Sequence, residues 1–130
     1  MSKQAVSTTA APAPVAVYSQ AVRKGNILQV AGQVGVDPAT GEVADGGIAG
    51  QTRQVFANLR AVLEAAGADF DDVVMMRAYL TDTAHFAEFN EVYNELVTEL
   101  GAEPYPARTT VYVGLPQGLL VEIDALAVLD

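Results

Sequence analysis

Two residues of opposite charge, Arg108 and Glu122, stand out in the last quarter of this chain. Arg108 opens the β-branched run Arg108-Thr109-Thr110-Val111 directly behind Pro106-Ala107, where the proline restricts the backbone that aims it. A guanidinium fork binds a carboxylate through two parallel N–H donors, which suits a small 2-imino or 2-oxo acid. The competing assignment is a structural ion pair between Arg108 and Glu122 or Asp124. Glu122 sits between Val121 and Ile123 in a run otherwise dominated by Leu and Ala. Strand alternation puts Glu122 and Asp124 on one face and Val121, Ile123 and Ala125 on the other. If the apolar set faces the core, the carboxylates face an interface, where burial demands a cation or several donors. An edge strand with a wet polar face is the alternative.

Further positions carry less specific signals. Tyr18, within Ala16-Val17-Tyr18-Ser19-Gln20, serves packing as readily as chemistry. Asn90 lies beside Phe89 and near Tyr93, and taken alone belongs to the solvent face of a helix. In Ala31-Gly32-Gln33 the glycine would let backbone N–H groups approach a ligand. Thr110 and Tyr112 share the face of Arg108. The single histidine, His85, reads as an exposed first-turn residue.

What the chain lacks narrows the chemistry. With no cysteine there is no thiolate nucleophile, disulfide or thiolate metal site. One histidine cannot assemble the usual zinc sets within a single chain, so no metal is expected. Gly46-Gly47 lacks the surroundings of a phosphate loop. A cation, a carboxylate, backbone donors and water remain, which suits hydrolysis of an already electrophilic substrate without a cofactor. Seven basic against sixteen acidic residues give a formal charge of −9 and no basic run, so nucleic acid is not an expected partner. No stretch approaches the ~20 apolar residues of a membrane span, and the expected compartment is the cytoplasm.

The elements that must position these residues follow from periodicity. At 130 residues, 51% hydrophobic, the chain fits one domain with a core of its own. Residues 1–16, rich in Ala, Ser, Thr and Pro, read as a loosely held arm before a single domain over 17–130. Ala21 to Gln33 reads as a hairpin turning at Lys24-Gly25-Asn26, and Asp37 to Gly41 as a turn-rich loop. Ile48, Val55, Phe56, Leu59, Val62 and Leu63 recur at helical spacing, with Gly67 at the expected C-terminal stop. Asp72 to Leu80 reads as a strand whose two alternating sets both carry bulky groups, Val74, Met76, Ala78 and Leu80 forming one of them. Asp82 or Thr83 caps a second helix running to Gly101, Arg108 to Val113 forms the next strand, and Leu119 to Val128 the last. The predicted order is ββαβαββ: an α+β sandwich with two helices on one face of the sheet. No helix is left for the other face, so copies of the chain are expected to cover it.

Several of these stretches together resemble the RidA/YjgF (reactive intermediate deaminase) family. They are residues 16–21, Val30-Ala31-Gly32-Gln33, Asp37 to Glu42, Phe86 to Tyr93 with Asn90, Tyr105-Pro106-Ala107-Arg108-Thr109, and Val121-Glu122-Ile123-Asp124-Ala125. The resemblance runs in order from about Tyr18 to Val128. It implies a chorismate-mutase-like two-layer sandwich with a mixed sheet, and a homotrimer whose sheets form a barrel-like core. It implies a 2-iminobutanoate/2-iminopropanoate deaminase, converting enamines and imines of the 2-aminoacrylate type, released by pyridoxal-phosphate enzymes, into 2-oxo acids and ammonia. In that scheme Arg108 clamps the substrate carboxylate with help from the backbone N–H of Thr110. Glu122 orients the attacking water, Tyr18 closes the cleft, and Asn90, Ala31 and Gly32 line or support it. Four positions depart from the family pattern. Ala31 stands where Ser or Thr is common, Thr110 where cysteine is common, and Val17 where proline precedes the tyrosine; the turn after Tyr112 is one residue short. Two other activities stay in play, a small-carboxylate-binding or chaperone-like trimer and a ribonuclease, the latter opposed by the acidic charge and the lack of paired histidines.

Overall fold

The computed structural model describes residues 2–130. Strands β2 (Ala21–Lys24) and β3 (Ile27–Val34) form the expected hairpin, Lys24 pairing with Ile27 across Gly25-Asn26. Gly25 takes a φ of 62°, the left-handed value that the first position of a tight two-residue hairpin requires. Helix α1 (Gly47–Ala65) follows, then β4 (Val73–Leu80), α2 (Phe86–Glu99), β5 (Ala107–Tyr112) and β6 (Val121–Val128). A short strand, β1 (Gln4–Val6), precedes them all. The six strands lie in the order β1-β2-β3-β6-β4-β5, with β4 and β5 parallel and every other pair antiparallel.

Both helices pack on one face of this mixed sheet. From α1, Val55, Leu59, Val62 and Leu63 are fully buried, and from α2 Phe89 is. They meet Leu28 and Val30 of β3, Met76, Ala78 and Leu80 of β4, and Val121, Ile123, Ala125 and Ala127 of β6 in one core. Each fully buried Leu, Val or Phe contributes about 1.5–3 kcal/mol, so the stripe on α1 alone anchors the layer. Polar residues of α1 also serve it. Asn58, wholly buried, donates to the carbonyls of Val34 and Val36 at 3.0 and 2.9 Å. Gln51 donates to Gly118 O at 3.0 Å and accepts from Leu120 N at 2.9 Å, which fixes the entry to β6.

The opposite face has no helix over it. It presents Glu122, Asp124 and Leu126 of β6 and Arg77 and Tyr79 of β4, with Ile27 and Val128 exposed at its margin. Among the described residues no helix is long and apolar enough to cross a membrane.

Two stretches are arranged differently from what a count along the chain suggests, for physical reasons. Alternation counted along β4 sends Val74 inward, but a register shift against β6 between Val73 and Met75 turns Val73 into the core and leaves Val74 48% exposed. A bulge inserts one unpaired residue and reverses the faces beyond it. The first sixteen residues, Met1 lying outside those described, contain β1, which pairs with β2. Three residues are too few to show a period. The segment after β1 is held by Gln20, which accepts from Thr8 N at 2.7 Å and donates to the carbonyls of Thr8, Ala11 and Pro12 at 3.1, 3.3 and 2.9 Å.

Candidate active site

Arg108 stands second in β5, in register with Met76 of β4, whose side chain is fully buried under the helices. Its guanidinium therefore projects on the helix side of the sheet, against α2. Nη1 donates to Asn90 Oδ1 at 2.8 Å, and the guanidinium carbon lies 4.6 Å from the Tyr93 ring centroid. Phe89 and Phe86 are further off, at 5.8 and 5.9 Å. An aromatic bed of this kind stabilises a cation without consuming its donors. The ion-pair alternative for Arg108 is not what forms. Among the described residues the ion pairs are Arg53–Glu95, Arg60–Glu64 and Arg77–Asp124. One of the five guanidinium N–H groups is committed to Asn90 and no carboxylate occupies the rest. A groove of about 580 Å³ opens beside it, lined by Asn90, Tyr93, Asn94, Val97, Tyr105 and Arg108 among others.

Thr110 adds a backbone donor. β5 is an edge strand, and Val113 N donates to Leu80 O at 2.9 Å. Along a parallel strand, successive amides point to opposite sides, so Val111 and Thr109 also turn toward β4 and the N–H of Thr110 points off the edge. The Thr110 hydroxyl is buried without a partner. So is Nδ1 of His85, which lies half-buried in the 3-10 turn Thr83–His85 before α2 rather than exposed as expected.

Glu122 is on the other side of the sheet, directly across from Tyr79. Burial, and next the charge of Asp124, raise its carboxyl pKa above the usual value of 4.5. Its carboxylate lies over Gly32, where a Cβ would come within 2.8 Å of Glu122 Cδ. Gly32 falls in the register shift between Val30 and Gln33, so the bulge and the missing side chain together make the slot. Ala31 precedes it, its N–H on Gln20 O at 2.9 Å. Tyr18 is half exposed, in a loop whose neighbours Val15 and Val17 are almost wholly so. One chain thus brings Arg108, Asn90 and Thr110 together on one side, and Glu122, Gly32 and Ala31 on the other. Arg108 and Glu122 do not meet within it. Among the described residues no three His, Asp or Glu side chains gather to hold a metal ion.

Sequence reasoning missed three contributors. Tyr93 falls on the apolar spacing of α2 with Phe89 and Val97 and so reads as core, yet its ring is the bed of Arg108, and burial raises its hydroxyl pKa against the opposing pull of that cation. Arg77 and Tyr79 drew no notice, yet both bind Asp124, at 2.8 Å each. Only the β4–β6 register could have revealed them.

The profile of the family described as Endoribonuclease L-PSP matches residues 8–129. The chain belongs to this family, the YjgF/RidA proteins. It is 47% identical to a RutC family protein of Pyrococcus horikoshii over 126 residues, 96% of this chain and 97% of that one. It is 39% identical to the 2-iminobutanoate/2-iminopropanoate deaminase of Mus musculus over 127 residues, 97% of this chain and 91% of that one. The crystal structure of RidA from the Antarctic bacterium Psychrobacter sp. superimposes with a TM-score of 0.87 at 44% identity, covering 97% of this chain and 99% of that one. The two helices on a mixed sheet are thus the fold of YjgF/RidA proteins.

Proposed function

We propose that this chain hydrolyses enamine and imine intermediates of the 2-aminoacrylate type, released by pyridoxal-phosphate enzymes, to 2-oxo acids and ammonia. The observation that carries the proposal is the guanidinium of Arg108, bedded on Tyr93, steered by Asn90 and without a carboxylate of its own. A 2-imino acid supplies that carboxylate, and the outward N–H of Thr110 supplies a further donor to it. Because Arg108 and Glu122 project from opposite faces, the site joins Arg108 of one protomer to Glu122 of a neighbouring copy. The uncovered sheet face, with Ile27 and Val128 exposed, favours such an assembly, and a homotrimer is the form we propose.

In this scheme the enamine first takes a proton at C3 to become the imine. Water, its proton accepted by the Glu122 carboxylate, adds its oxygen to C2. The resulting carbinolamine collapses as the C–N bond breaks, the proton passes to the leaving nitrogen, and ammonia and the 2-oxo acid depart. No electron is gained or lost, so no cofactor is required. Gly32 leaves room for the Glu122 carboxylate and Ala31 fixes the strand beside it, while Tyr18 closes the cleft. Since a protonated imine already reacts with water, the enzyme's contribution is mainly orientation. The name borne by the mouse relative supports the same reaction.

The test couples this protein to a pyridoxal-phosphate threonine dehydratase and follows 2-oxo acid release. Acceleration that is lost in Arg108→Ala supports the hydrolase. No acceleration, with a small carboxylate still bound, leaves a non-catalytic binding trimer. Light scattering should report three chains per particle.

A further inference from the structure

On the uncovered sheet face β6 offers two carboxylates, Glu122 and Asp124, and β4 offers two donors opposite them. Register places Tyr79 across from Glu122 and Arg77 across from Asp124. Only one of the two hydrogen bonds follows that pairing. Arg77 Nε donates to Asp124 Oδ1 at 2.8 Å, and Tyr79 passes over the residue directly opposite and donates diagonally to Asp124 Oδ2 at 2.8 Å. Both Asp124 oxygens are thereby engaged, and the residue is 9% exposed. The bond to Asp124, followed by burial, raises the Tyr79 hydroxyl pKa, so the proton stays on the phenol. Glu122 receives nothing from β4 and lies instead in the slot at Gly32.

We infer that Asp124, clamped by Arg77 and Tyr79, is a positioning residue that keeps Tyr79 off Glu122 and leaves the Glu122 carboxylate free in the Gly32 slot. The chemistry makes the arrangement useful. A carboxylate that must accept a proton from water is weakened by every donor already bound to it, and strengthened by a fixed negative charge nearby. Asp124 withdraws the donor and supplies the charge. The groups that face Glu122 can be named for each strand: Asp124 on β6, and Arg77 and Tyr79 on β4. From β3 come only the uncharged Ala31, Gly32 and Val34, the last in register with Glu122, and β5 contributes no ionisable side chain to that face. In the proposed assembly the neighbouring copy's Arg108 is a further cation, the same in every variant below. Arg77 balances part of the Asp124 charge, so removing one or the other must move Glu122 in opposite directions.

The use of Glu122 as a base rests on the hydrolase proposed above; its placement by Asp124 does not. The experiment is a carboxyl carbon-13 titration of the intact protein without substrate, with the Glu122 signal assigned by its loss in Glu122→Gln. Strand spacing separates Glu122 and Asp124 by about 7 Å. At that distance Asp124→Asn should lower the Glu122 midpoint by about one pH unit, and Arg77→Gln should raise it by about half a unit. Tyr79→Phe, which keeps the ring and removes only the donor, should leave the midpoint nearly unchanged, because that donor is spent on Asp124. A rise of about half a unit or more would show that Tyr79 binds Glu122 and overturn the inference, so this variant decides the matter if either charge variant fails to fold. A Glu122 midpoint that stays put or moves the same way in Asp124→Asn and Arg77→Gln overturns the inference. The acid limb of the kcat/KM profile should follow the same shifts. Shifts in the titration from a protein that hydrolyses no imine would sink the hydrolase and leave the positioning intact.

Discussion

Replacing Arg108 by alanine removes the guanidinium proposed to hold the substrate carboxylate. Its side chain makes one hydrogen bond to Asn90 and lies 4.6 Å from the Tyr93 ring. It sits on an edge strand with no ion pair among the described residues. Removing a half-exposed ring contact costs about 0.5–1 kcal/mol, and the lost bond to Asn90 is of similar size. The melting temperature should therefore fall by no more than about 5–10 °C. The effect on turnover should be much larger. Two hydrogen bonds to a charged partner contribute about 1.5–3 kcal/mol each. Losing the pair, allowing for water in the vacated groove, lowers kcat/KM by about 10²- to 10⁴-fold. Because the carboxylate is held in the ground state as well as the transition state, most of this should appear in KM. Arg108→Lys keeps the charge without the fork and should lose about tenfold. The assay is 2-oxo acid release in the coupled dehydratase reaction, at several substrate concentrations. A folded Arg108→Ala protein with kcat/KM within about threefold of the parent would refute the reasoning.

Three other outcomes can be checked. Gly32→Ala would push a methyl against Glu122, 2.8 Å from its Cδ; because the obstructing group is the end of a flexible side chain, turnover should drop about tenfold or more while the melting temperature changes little. Gly35→Ala meets Gln51 Cβ and Cα at 2.7 and 2.8 Å, so the helix itself must move, and urea unfolding should show a loss of about 1–3 kcal/mol. Glu122 has its carboxyl pKa raised by burial and by Asp124, so the folded protein holds a proton that the unfolded chain releases. The stability this confers is complete below the ordinary value of 4.5 and is lost as pH rises through the higher folded pKa, so Glu122→Gln should flatten the fall in melting temperature above that pH. An unchanged slope would show that Glu122 is not the group responsible.

Much of the architecture was legible because it depends on local periods. The stripe Val55, Leu59, Val62 and Leu63 and the alternation of Val121, Ile123 and Ala125 about Glu122 report backbone geometry within a single element. That geometry is the same wherever the element is placed. The hairpin was legible because Gly25 can adopt the left-handed φ its turn needs. The types of group available for chemistry, a cation and a carboxylate without thiol or paired imidazoles, were likewise plain from composition.

Other features depend on how strands pair, and no local pattern encodes that. The bulge that turns Val73 inward arises from the match between β4 and β6. The contacts of Asp124 with Arg77 and Tyr79 join residues 47 and 45 positions apart in the chain. The bed of Arg108 exists only because α2 lies over the edge formed by β5. That Arg108 and Glu122 project from opposite faces is a fact of register and packing, and it is why a site using both must draw on more than one copy. Sequence alone determined which side chains each element presents and how often. Only the tertiary structure decided which of them touch, because contacts between distant residues are selected by the collective packing of the whole sheet.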